Sequence, residues 1–190
     1  MEQHPFIELP DYQVSHILLG SFSCLKNGQY GEWFYLGSGK SNFWRLMENV
    51  YEQPVPTKAE KVELMRKQGI WITDIAKTIE RKKEDHGCLD ANLRILDYNT
   101  EMIQQVLNEH PVKSILCTSA WVAELFVKKM QPLLAKGTPI PEVIKLPSPS
   151  PMADQAIRAN ADYKAAVAQN PDFTPWAFRL EKFKASLPKV

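Results

Sequence analysis

Four short polar segments carry side chains that could hold a ligand or act on it: Gly20-Ser21-Phe22-Ser23, Asp74, Thr118-Ser119 and Pro147-Ser148-Pro149-Ser150-Pro151. Hydroxyls and a carboxylate can orient a polar ligand or a water molecule. The last segment is the most constrained, because each proline fixes its own φ and biases the residue before it towards extended backbone. The result is a stiff wedge with Ser148 and Ser150 held in place. The plain structural reading of the same stretch is a rigid connector between a strand and a helix beginning near Met152.

The loop at Gly20 has neither the GxGxxG spacing nor a Walker lysine, which argues against dinucleotide or triphosphate binding and against a flavodoxin-type domain. Further along lie Trp33-Phe34-Tyr35 and then Asn42-Phe43-Trp44. Phe43 and Trp44 are expected to pack a helix onto the core. Phe34 and Tyr35 could stack on a flat ligand such as a nucleobase. Asn42 reads equally as an N-cap, and Asp74 equally as a strand-end turn or cap.

What must position these residues is a set of short apolar runs at 14–19, 69–73, 113–117 and 142–146, each read as a buried strand. Helical patterns fall between them. They cover 43–51, 57–68 with Thr57 and Glu60 as a capping box, 99–108, 119–135, 153–169 and 174–187. Asp90 and Asn92 are read as an Asx turn and cap before a helix at 93–96. Strands alternating with helices imply one α/β domain spanning 1–190, a three-layer α/β/α sandwich around a mostly parallel sheet of four or five strands. In such sheets ligands bind beyond the carboxyl ends of the strands, and all four polar segments fall there.

Composition narrows the function classes. With 44% hydrophobic and 24% charged residues, the chain is ordinary globular material. No apolar run approaches the roughly 20 residues of a membrane helix, and an intracellular, cytoplasmic protein is expected. Cys24, Cys88 and Cys117 show no CxxC pair and the four histidines no ligand spacing, so buried thiols are expected rather than disulfides or a metal site. A net charge of +1 exerts no global pull on nucleic acid, although Arg81-Lys82-Lys83 could meet phosphates locally. His86, in the same stretch, is too solitary to assign a role.

The motifs occur in a telling order. Gly20-Ser21-Phe22-Ser23, an aromatic pair, an Asn-aromatic-Trp segment, Gly69-Ile70 with Asp74, Leu89-Asp90-Ala91-Asn92 and Leu146 through Pro151 resemble, over about residues 14–165, the uracil-DNA glycosylase superfamily. The nearest branch is that of the mismatch-specific uracil and hypoxanthine-DNA glycosylases. The resemblance implies hydrolysis of the N-glycosidic bond of a deaminated base flipped out of DNA, in base excision repair, by a monomer without metal or cofactor. It further implies a base pocket formed by Ser21, Phe22, Ser23, Phe34, Tyr35 and Ser41, with Tyr35 or else Phe34 as the stacking aromatic. Pro147, Ser148, Pro149, Ser150 and Ser119 would meet the DNA.

Two departures bear on catalysis. Relatives carry Asn or Asp followed by Pro where Phe22 and Ser23 stand. The hypoxanthine-acting branch has an asparagine at the position of Ser41, whereas this chain has Asn42 one residue later. Asn42 is therefore the first candidate for the water- or base-contacting residue and Asp74 the second. A family member that binds a base without cleaving it is the alternative.

Overall fold

The computed structural model describes residues 1–36, 42–83 and 89–189. In chain order its elements are β1 (Glu2–Gln3), β2 (His16–Gly20), β3 (Leu25–Lys26), β4 (Gln29–Tyr30), α1 (Phe43–Tyr51), α2 (Lys58–Lys67), β5 (Ile70–Asp74) and β6 (Ala76–Arg81). They continue with β7 (Leu93–Tyr98), α3 (Thr100–Glu109), β8 (Ser114–Cys117), α4 (Ala120–Leu125), β9 (Glu142–Lys145), α5 (Asp154–Ala159), α6 (Ala161–Gln169) and α7 (Pro175–Ser186).

The four apolar runs read as strands pair in parallel in the order β5-β2-β8-β9. Side chains alternate across this sheet, as a period of two requires. Leu18, Ile70, Ile72 and Leu116 meet α1, α2 and the end of α7 on one face. Ile17, Leu19, Trp71, Ile115 and Cys117 meet α3 and α4 on the other. The fold is therefore the α/β/α sandwich that the alternation implies. Register brings Gly20 beside Asp74 and Leu19 beside Cys117, so the carboxyl ends of three strands finish level.

Local chemistry explains the element ends. Thr57 accepts from the Glu60 N–H at 3.2 Å while Glu60 accepts from the Thr57 N–H at 2.9 Å, the reciprocal box expected from their spacing. Ser119 accepts from the Val122 N–H and starts α4. The helix expected over 119–135 does not run through. It widens into a π turn at Phe126–Met130 and closes in a 3-10 turn at Gln131–Leu133, where Pro132 has no N–H to offer.

Three other expectations are corrected. Residues 93–96 are not helical, because Leu93 and Ile95 point inward while Arg94 and Leu96 point out, and β7 pairs antiparallel with β6. With β1 these strands form a second sheet in the order β1-β6-β7. The helix expected over 153–169 is split at Asn160, whose extended backbone breaks α5 and whose side chain accepts from the N–H groups of Asp162 and Tyr163 to start α6. Cys24 is disulfide-bonded rather than a thiol. Among the described residues Cys117 is the free cysteine, and burial pushes its thiol up to about 12, which makes it inert. Ser41, His86 and Cys88 lie outside the described residues.

No described helix is long and apolar enough to cross a membrane. Among the described residues no group of His, Cys, Asp and Glu could hold a metal ion.

Candidate functional site

A cavity of about 540 Å³ opens where the strands of the parallel sheet end. Ser21, Phe22 and Ser23 after β2, Asp74 ending β5, Thr118 and Ser119 after β8, and Ser148 to Met152 after β9 all line it. Phe34, Tyr35, Arg81, Asp90 and Leu93 complete much of the wall. The four polar segments of the sequence thus meet in one place. Asn42 and Pro147 are not among the lining residues. Asn42 stands at the N-cap of α1 with no side-chain cap bond, its carbonyl accepting from the Leu46 N–H.

Asp74 is 4% exposed. Its backbone is fixed on both sides, since the Asn99 amide donates to Thr73 Oγ1 at 3.0 Å and to the Asp74 carbonyl at 3.3 Å, and the Ile75 N–H donates to the Gly20 carbonyl at 2.9 Å. Oδ2 of the carboxylate lies 2.8 Å from His4 Nε2. The Phe6 N–H donates to His4 Nδ1 at 3.1 Å, so Nδ1 is the acceptor and Nε2 carries the proton that Asp74 receives.

Gly20 makes room for the other oxygen. A Cβ there would stand 2.1 Å from Asp74 Oδ1 and 2.7 Å from the Tyr35 hydroxyl, both side chains packed in place. Gly20→Ala is accordingly expected to destabilise the chain by about 1–3 kcal/mol through overpacking, seen as a lower Tm. A variant that melts with the wild type would mean that the carboxylate moves aside freely.

Tyr35 holds a left-handed backbone, φ 61°, and stacks on Phe43 with ring centroids 4.0 Å apart. Its hydroxyl donates to Thr118 Oγ1 at 3.3 Å. Burial, with the charge of Asp74 adding, pushes the phenol well above its ordinary value, so it is a neutral donor beside the carboxylate. Phe34 stacks on His4 instead, centroids 5.5 Å apart, and its carbonyl accepts from the Trp44 indole at 2.9 Å. Phe22 faces Ala76, Ile79 and Leu93, with its ring edge-on to His4.

Asp90 is a cavity residue that sequence reasoning assigned to a turn. Ser21 Oγ donates to its Oδ1 at 2.6 Å. Burial pushes the Asp90 carboxyl above the usual carboxylate range; the Ser21 bond opposes that shift and the charge of Asp74 adds to it. Asn92 does take a structural role, its amide exchanging bonds with the Lys83 N–H and carbonyl at 2.7 and 2.5 Å. Arg81 is turned inward, bonding the Ser23 carbonyl at 3.0 Å and Glu2 at 3.0 Å.

The proline-serine loop is braced from behind. Arg179, on α7, donates to the carbonyls of Ser148 at 2.7 Å and Ser150 at 2.8 Å. The loop also bonds itself, as the Ser150 N–H donates to Ser148 Oγ and the Met152 N–H to Ser150 Oγ, both at 3.3 Å. Its hydroxyl edge and Met152, 77% exposed, form one rim of the cavity.

No protein-family model and no curated protein matches the chain. A structural neighbour is the solution NMR structure of a "putative Uracil DNA glycosylase" from Methanosarcina acetivorans, 20% identical, with a TM-score of 0.57 over 91% of this chain and 96% of the other. That structure and this one share the α/β fold along almost their whole lengths.

Proposed function

We propose that the chain is a monofunctional DNA glycosylase of the uracil-DNA glycosylase superfamily, near its mismatch-specific uracil and hypoxanthine branch, that excises a deaminated base as a monomer. The observation that carries this reading is a carboxylate, Asp74, held by His4 in the wall of a cavity rimmed by a rigid proline-serine loop at the carboxyl ends of a parallel sheet. A base flipped from the stack would enter that cavity. The neighbour's fold supports the same reading.

The chemistry is a hydrolysis whose atoms come from substrate and water. As the bond between C1′ and the base nitrogen breaks, its electron pair leaves with the base and the sugar gains oxocarbenium character. Asp74 orients a water molecule and takes its proton as the oxygen bonds C1′, and that proton then passes, through solvent, to the nitrogen of the departing base, which restores the carboxylate. The N–H groups of the 21–23 loop and the hydroxyl of Ser23 stabilise the anion that forms, the Ser21 hydroxyl being committed to Asp90 Oδ1. Asp74 thus stands in for the polar group that relatives carry where this chain has Phe22. Phe34 or Tyr35 bounds the base, and Ser148, Ser150 and Ser119 meet the DNA backbone. Asn42, which does not line the cavity, has no part in the reaction on this reading.

A single-turnover assay tests this, with enzyme in excess over oligonucleotides carrying uracil or hypoxanthine, single-stranded and opposite each normal base. Cleavage of at least one lesion is expected, with the rate retained in Asn42→Ala. DNA binding with no abasic product from any substrate would replace the enzyme with the non-cleaving base binder, a reading favoured by the burial of Phe22 in an apolar cluster at the first-motif position.

A further inference from the structure

The amino-terminal arm is 70 residues from Asp74 in sequence, yet it enters the cavity wall beside it. β1 pairs with β6 through Glu2↔Ile79 and Gln3↔Thr78, and the His4 N–H continues the ladder to the Lys77 carbonyl at 2.9 Å. Glu2 adds an ion pair to the Arg81 guanidinium and accepts from the Tyr30 hydroxyl. This strap delivers the His4 ring, whose side chain is 1% exposed, into a slot between Phe34 and Phe22. There the Phe6 N–H takes up one ring nitrogen and Asp74 Oδ2 the other, so the ring has one proton, and the nearer of its two polar neighbours is Asp74 Oδ2 at 2.8 Å, with Ser23 Oγ at 3.3 Å.

We propose that His4 is the positioning residue of the reaction: its Nε2–H binds Asp74 Oδ2 and so leaves Oδ1 as the oxygen offered to water, making the amino-terminal strap part of the active site. This rests on the glycosylase reading given above. A carboxylate free to rotate would present either oxygen and would spread over orientations, of which few lie in line with C1′. One charge-assisted bond at 2.8 Å selects one orientation before substrate arrives. Ser23 Oγ, 3.3 Å from the same nitrogen, is the flanking polar group on the loop side.

Two replacements separate orientation from packing. His4→Phe keeps a flat ring between Phe34 and Phe22 and loses the donor, whereas His4→Gln loses the ring and places an amide N–H near the position of Nε2. In the full chain, His4→Phe is expected to lower the single-turnover rate at saturating enzyme about 10–100-fold, by analogy with the loss seen when the hydrogen-bonded partner that orients a metal-ligating side chain is removed. The Kd for the damaged oligonucleotide should stay within about threefold, while His4→Gln restores most of the rate. Equal rates in wild type and His4→Phe, or a His4→Gln variant that is folded and as slow as His4→Phe, would overturn the assignment. Imidazole nitrogen resonances of the free protein give a second readout that does not depend on activity. Protonated Nε2 and bare Nδ1 are expected, with the Nε2 signal displaced in Asp74→Asn, and the opposite tautomer, or a signal indifferent to Asp74→Asn, would refute the contact. Should the wild type cleave no substrate, the glycosylase reading falls by the assay while the His4–Asp74 contact is still decided by the resonances.

Discussion

Asp74→Asn should bind a uracil- or hypoxanthine-containing oligonucleotide as the wild type does and cleave it about 10²–10⁴ times more slowly, the usual contribution of a general base. The replacement is close to isosteric, so the packing against Gly20 and Tyr35 survives, and an amide oxygen can still accept from His4 Nε2. What disappears is the group that takes a proton from water. If His4 holds the amide oxygen, the amide nitrogen is turned to the cavity, where it donates rather than accepts. The expected signature is therefore a fall in the single-turnover rate at saturating enzyme, with the Kd for DNA little changed. A rate within threefold of wild type would remove Asp74 from the chemistry and turn attention to Asp90, the other carboxyl on the cavity wall. Asn42→Ala serves as the control, because its side chain is not part of that wall.

The sheet was legible because parallel strands covered on both faces read as short apolar runs, and each of the four ends in polar or proline-rich sequence. From those ends the meeting of Ser21, Asp74, Ser119 and Ser148 followed, and the structure places all four on one cavity. The second sheet was not legible. β6 mixes apolar with charged or polar residues, β7 is exposed at Arg94, Leu96 and Asp97, and their pairing includes register shifts near Thr78, so neither offers a continuous apolar run. Asp90 shows how local and tertiary readings diverge: an Asp two residues before an Asn is a turn signal, and the turn exists as a 3-10 segment at Asp90–Asn92, but the carboxyl is drawn to Ser21 across 69 residues. His4 carried no signal at all. A lone histidine near the amino terminus acquires its role only through a strand pairing and a contact 70 residues away, neither of which periodicity encodes.

Arg179→Met should cost about 2–5 kcal/mol of stability and weaken DNA binding while sparing the chemical step. Arg179 is 2% exposed, and two of its donors end on the carbonyls of Ser148 and Ser150. Pro147, Pro149 and Pro151 have no N–H, so this loop cannot form a ladder of its own and depends on a cation supplied from α7. Methionine fills much of the volume but leaves the Ser148 carbonyl without a donor, at about 1–3 kcal/mol for an unsatisfied buried group, whereas the Ser150 carbonyl keeps the Ala153 N–H at 3.0 Å. The ion pair from Arg179 to Asp154 at 2.6 Å is part of that cost, because the Asp154 side chain is 42% exposed but the Oδ1 that faces Arg179 is buried and is left without its partner. The loss is a large share of the 5–15 kcal/mol that holds a typical domain together, so a clear drop in Tm is expected. In the folded fraction the loop is no longer set in advance, and ordering it on DNA raises the Kd, with the rate at saturating enzyme close to wild type. Arg179→Lys should fall between the two, since one ammonium cannot reproduce the planar fork that spans both carbonyls. An Arg179→Met protein with unchanged Tm and Kd would mean that the prolines alone hold the loop, whereas a loss confined to the rate at saturating enzyme would place the loop in the chemical step rather than in binding.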